Sequence, residues 1–156
     1  MTRTTARQLA VQLAFAAIEG SDLSPADFFE EEYFHALPSE DALFAEVPSD
    51  KQMRYISELV NGVCERRREL DETISRYSQG WKINRISKTA LCILRCAIYE
   101  ILYMPDIPDA ASINEAVELA KSYDEAETVR FINGILGSFM RDRFTETAEA
   151  KTDGEG

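Results

Sequence analysis

Sixteen residues, Thr89 to Met104, read TALCILRCAIYEILYM and hold only two charges, Arg95 and Glu100. A helix that is apolar on nearly every side has to be covered on every side, so this segment predicts the central helix of an all-α bundle. Pro105 and Pro108 end it. The other elements must then be helices with one apolar face each, and the sequence supplies them.

Thr5 to Glu19 carries Leu9, Val11, Leu13, Phe15 and Ile18 on an Ala- and Gln-rich background, an amphipathic helix with Gly20 as its stop. Ser24 with Pro25 and Asp27 opens a second helix to about His35 or Leu37, and 38–48 form a loop between Pro38 and Pro48. From Asp50, the positions Met53, Ile56, Val60, Val63, Leu70, Ile74 and Tyr77 form one apolar seam. Its length suits two ordinary helices or one bent helix, with Gly62 as the bend and Gly80 as the end. Ser112 and Glu115 have capping-box spacing and predict a helix whose buried face is Ile113, Ala116, Val117 and Ala120. The last helix spans about Glu127 to Phe144, with Ile132, Ile135, Leu136 and Phe139 inward. Asn133-Gly134 could turn a hairpin, but no alternating strand flanks it. A single domain over 1–144 and a disordered acidic tail over 145–156 are expected.

The formal charge is −11, which by itself argues against a nucleic-acid partner. The charge is segregated, however. Residues 19–50 hold ten acids and no Lys or Arg, whereas 73–99 hold Arg76, Lys82, Arg85, Lys88 and Arg95 and no acid. Because charge is screened over about 8 Å in physiological salt, a local patch matters more to a close partner than the total. Three cysteines (Cys64, Cys92, Cys96), with no secretory or membrane-spanning run, predict free thiols in a cytoplasmic protein.

Catalytic chemistry finds little footing. The single His35 sits among acids, and no P-loop, GxSxG or HExxH motif occurs. Cys92 and Cys96 share a helix face, but a metal site needs two more ligands, and core packing explains both thiols. No enzyme, no cofactor and no metal site is expected. Arg3 and Arg7, four apart at a helix start, form a plausible phosphate site. Arg95 and Glu100, as buried charges, are expected to pair with one another.

Four strings, in order, carry a resemblance: Ala6-Arg7 with Ala10-Val11-Gln12; Ile93-Leu94-Arg95 with Ala97, Tyr99 and Glu100; Ile113-Asn114-Glu115-Ala116 with Glu118-Leu119-Ala120-Lys121; and Phe131 with Asn133-Gly134 and Leu136. Over about residues 5–140 the chain resembles the NusB family of bacterial transcription antitermination factors. The resemblance implies about seven helices in two small packed bundles. It implies binding to the boxA element of ribosomal RNA leaders, pairing with the ribosomal protein NusE, and entry into an RNA polymerase antitermination complex. Members occur as monomers and as homodimers, and both states stay open here. The fold also serves as the N-terminal domain of a ribosomal RNA cytosine methyltransferase; no catalytic domain follows here, so the free-standing factor is expected.

Carried over by position, the RNA contacts are Arg3, Arg7 and Phe15 on the first helix and Glu127, Thr128, Arg130 and Phe131 at the start of the last. Thr2, Thr4 and Thr5 stand where the family often has more arginine. Phe131 could stack a base or pack in the core. The alternative is a protein-interaction module whose acidic 19–50 segment meets a basic ribosomal protein with weak or lost RNA binding.

Overall fold

The computed structural model describes residues 1–19, 47–78, 86–123 and 126–155, with side chains as far as Phe144 and excepting Tyr123. Among them are six helices and no strand: α1 (Arg3–Glu19), α2 (Asp50–Glu65), α3 (Arg67–Tyr77), α4 (Lys88–Tyr103), α5 (Asp109–Tyr123) and α6 (Ala126–Glu155). The expected helix over 24–37, His35, Gly20, Gly80, Lys82 and Arg85 lie outside the described residues.

α4 is the apolar segment, and it packs against every other described helix. All residues from Ala90 to Ile101 are buried, Arg95 and Glu100 included. Ser87 starts it: its hydroxyl accepts from the Ala90 N–H at 3.1 Å, satisfying one orphan donor of the first turn. α1 and α2 pair closely on one side of α4, and α5 and α6 pair on another, with α3 bridging α4 and α6. The apolar seam resolves into two helices, α2 and α3. The break falls at Arg66 and not at Gly62, whose carbonyl still accepts from the Arg66 N–H at 2.9 Å. Gly62 has another reason: a Cβ there would run into the ring of Tyr99 on α4. α2 opens with a complete capping box, Ser49 Oγ accepting from Gln52 N at 3.2 Å and Gln52 Oε1 accepting from Ser49 N at 2.9 Å.

Two local expectations are corrected. α5 begins at Asp109, directly after Pro108, whose carbonyl accepts from Ala111 and Ser112. Ser112 is therefore inside the helix and only 1 % exposed, and Ser112–Glu115 is not a cap. The last helix begins at Ala126 and runs to Glu155, past the expected end at Phe144; side chains of 145–156 lie outside the described residues.

Candidate nucleic-acid interface

On α6, Glu127, Arg130, Phe131, Gly134, Ser138 and Arg141 recur at three- and four-residue steps and share one face. Together with Tyr77 and Ser78 at the end of α3, they line a groove of about 560 Å³. Glu127 and Arg130 are exposed on its rim. Phe131 is 8 % exposed, so it belongs to the core and offers the groove only an edge. Arg141 donates to Ser138 Oγ at 3.0 Å. Tyr77 is held in place by its hydroxyl, which donates to Asp142 Oδ2 at 2.9 Å, and by edge-on contact with Phe139, centroids 5.8 Å apart. Burial, and then the Asp142 carboxylate, push the Tyr77 phenol up, so it remains a donor. Gly134 has open space where a Cβ would stand. A helix-interior glycine costs about 1 kcal/mol relative to alanine, and no close packing requires it here. It leaves bare backbone on the groove wall.

The groove gathers Glu127, Arg130 and Phe131 of the expected site. Thr128 is half-buried and does not line it, and Phe15 is half-buried against the core. Arg3 is exposed but lines a separate depression. Sequence reasoning missed Tyr77, Ser78, Gly134, Ser138 and Arg141. Helical spacing from Glu127 could have found those on α6; nothing local joins Tyr77 to them.

Arg7 requires a correction. Its side chain is buried, and its guanidinium grips Glu100 with two bonds, Nε at 2.9 Å and Nη2 at 2.7 Å. Glu100, 1 % exposed, also accepts from Tyr55 Oη and Ser112 Oγ, both at 3.1 Å, so four helices meet on one carboxylate. The third nitrogen, Nη1, makes no hydrogen bond and lies 3.8 Å from Glu115 Oε2. Burial opposes the Arg7 charge, but the Glu100 hydrogen bond and charge outweigh it and hold the proton more firmly than usual. Arg7 is thus engaged as a structural cation, with Nε and Nη2 taken by Glu100 and only Nη1 without a hydrogen bond.

The expected Arg95–Glu100 pair is absent as well. Five residues along a helix turn the side chain about 140° away, onto another face. Arg95 instead grips Asp71 of α3 at 2.6 and 3.0 Å. Each buried charge of α4 thus fastens a different layer to it.

Cys92 and Cys96 are buried, and the Cys92 thiol donates to the Val11 carbonyl at 3.4 Å. The neighbouring Cys92 and full burial push the Cys96 thiol well up. Among the described residues no group of three His, Cys, Asp or Glu is arranged to hold a metal, and no helix is long and apolar enough to cross a membrane.

A family model described as the NusB family matches residues 4–141. The transcription antitermination protein NusB of Carboxydothermus hydrogenoformans is 44 % identical over 137 residues, covering 88 % of this chain and 91 % of that protein. The protein of the same name from Thermoanaerobacter sp. is 41 % identical over 150 residues, covering 96 % and 98 %. The solved structure of T. maritima NusB has a TM-score of 0.67 at 27 % identity and covers 90 % of this chain and 92 % of that one.

Proposed function

The chain belongs to the NusB family, and from that membership we propose that it is a transcription antitermination factor working in the cytoplasm. It binds boxA-type leader RNA together with NusE and joins the RNA polymerase complex that reads through terminators. The role is one of binding and requires no catalytic group. The observation that carries the RNA part is the α6 groove, where Arg130 and Arg141 flank the edge of Phe131 and the bare backbone at Gly134. Arg130 supplies a phosphate contact, Phe131 an aromatic edge against an unstacked base, and Glu127 an acceptor for an exocyclic amine. Thr128, Phe15 and Arg3 are secondary contacts at most, because none lines this groove.

The test is retention of labelled boxA RNA, with and without NusE, across a salt series. Binding is expected to be weak alone and tighter with NusE. Arg130→Ala should lower the slope of log affinity against log salt by about 0.7, the value for one single-strand phosphate contact. No RNA retention even with NusE present would sink the RNA role. Capture of NusE by a chain that never selects boxA would support the protein-only alternative, whose acidic segment falls almost wholly outside the described residues.

A further inference from the structure

A second depression, of about 630 Å³, lies where the start of α1, the start of α2 and the turn after α4 meet. Its charges are sorted. Arg3, Lys51 and Arg54 gather at the starts of α1 and α2, which Gln52 ties together by donating to the Met1 carbonyl at 2.5 Å. All three cations are exposed, and none pairs with a described acid. Glu58, one turn further along α2, and Asp106, after α4, line the rest of the rim. Between them the floor is aliphatic, with Met104 and Ile107 buried. The two tyrosines of the depression already have their rings in use. The Arg66 guanidinium lies over Tyr103 at 4.2 Å, and the Tyr99 ring is centred 5.1 Å from it. The Arg7 guanidinium lies 5.8 Å from the centre of the Tyr55 ring. Their hydroxyls are taken by Glu69 and Glu100.

We propose that this depression docks a protein segment of mixed charge. Its acids meet Arg3, Lys51 and Arg54, one aliphatic side chain sits on Met104 and Ile107, and a basic residue meets Glu58 and Asp106. The source is a component of the polymerase complex, and in that respect the inference rests on the function proposed above. Charge complementarity along the rim fixes the direction of the segment, and the aliphatic floor supplies its anchor. RNA is the poorer occupant on two counts. It is anionic along its whole length and would meet carboxylates at one end. Single-strand binders also stack bases on open aromatic faces, whereas the tyrosines here are already engaged. A basic ribosomal protein fits less well too, because three unpaired cations would face its own positive charge.

The probe is a fluorescein-labelled peptide with glutamates at one end, one central leucine and lysines at the other, followed by anisotropy. Wild type is compared with Lys51→Glu/Arg54→Glu. Both replaced residues are exposed, glutamate suits the start of α2, and a melting curve checks that the variant is folded. The variant should bind the peptide about 10-fold more weakly, since each exposed pair is worth up to about 5-fold and reversal adds repulsion. A peptide with serine in place of the leucine should bind wild type about 10-fold more weakly. Capture of NusE, and the salt slope of boxA RNA binding with NusE, should be the same for both proteins. No binding by wild type, equal binding by the two proteins, or equal binding of the two peptides overturns the inference. So does a slope lowered by about 1.4 in the variant, which gives the depression to RNA. Loss of NusE capture also overturns it, because the face then belongs to the ribosomal protein. If wild type retains no boxA RNA while the peptide pattern holds, the RNA role fails and the docking site stands.

Discussion

Removing Glu100 should come close to unfolding the protein. The carboxylate is 1 % exposed and accepts four hydrogen bonds from Arg7, Tyr55 and Ser112. Glu100→Ala strands a buried guanidinium, and breaking one side of a buried ion pair costs about 3–5 kcal/mol. Two hydroxyls also lose their acceptor, at about 1–3 kcal/mol each if water cannot reach them. Against a total stability of about 5–15 kcal/mol the loss is large. In a urea titration followed by circular dichroism, with a slope of about 2 kcal/mol per molar, the ion-pair loss alone should lower the midpoint by about 1.5–2.5 M, and the stranded hydroxyls lower it further. Arg7→Met should also be costly, because it leaves a buried carboxylate with only two hydroxyl donors. The double variant Arg7→Met/Glu100→Met should be much more stable than the sum of the singles predicts, since replacing both charges with packed apolar groups is nearly neutral. A loss below about 1 kcal/mol for Glu100→Ala, or strict additivity in the double variant, would refute the buried-pair account. The same proteins separate structure from recognition. If Arg7 acts only through the fold, the folded double variant keeps the full salt slope of RNA binding; a slope lower by about 0.7 would restore Arg7 as a phosphate contact.

Other perturbations probe neighbouring points. Gly62→Ala should gain up to about 1 kcal/mol of helix propensity yet destabilise overall, because its methyl group overpacks against the Tyr99 ring at about 1–3 kcal/mol; thermal melting reads the sign, and Gly62→Ala/Tyr99→Leu should recover the loss. Cys92 and Cys96 should label with a thiol reagent only after denaturant is added, burial and mutual contact having raised Cys96 well above the ordinary thiol range. Tyr55 is pushed up first by burial and then by the Glu100 charge. A raised folded value means its contribution is complete below the unfolded value near 10 and is lost as pH climbs beyond it, so wild type should lose stability above about pH 10 and Tyr55→Phe less steeply.

How far the sequence could be read depended on the range of the interaction concerned. Local signals located α4, whose sixteen-residue apolar run admits no exposed face, and the seam that became α2 and α3. They failed where a residue had two uses. Ser112 stands three before Glu115, as in a capping box, but its hydroxyl goes to Glu100 and the helix has already begun after Pro108. Arg7 sits at a helix start like a phosphate ligand, but its partner lies 93 positions away. No window of sequence contains both ends of such a pair. The α6 part of the groove was legible by spacing and resemblance, whereas Tyr77 enters it from a different helix.

The segregated charge has to be weighed again in this light. The acid-free stretch 73–99 looked like a basic surface, yet Arg95 is neutralised by Asp71 inside the fold and Lys88 pairs with Glu19 at 3.2 Å. The acids that balance these two cations come from other segments, Asp71 of α3 and Glu19 of α1; Lys82 and Arg85 lie outside the described residues. The cations lining the two grooves are few: Arg130 and Arg141 at one, Arg3, Lys51 and Arg54 at the other. With about 0.7 of salt slope per single-strand contact, five such contacts give a slope near about −3.5 if every one is made, and about −1.4 if only the α6 groove is used. The slope measured on wild type alone therefore counts the grooves in use. A value near the smaller figure would leave most of the affinity to be supplied by NusE.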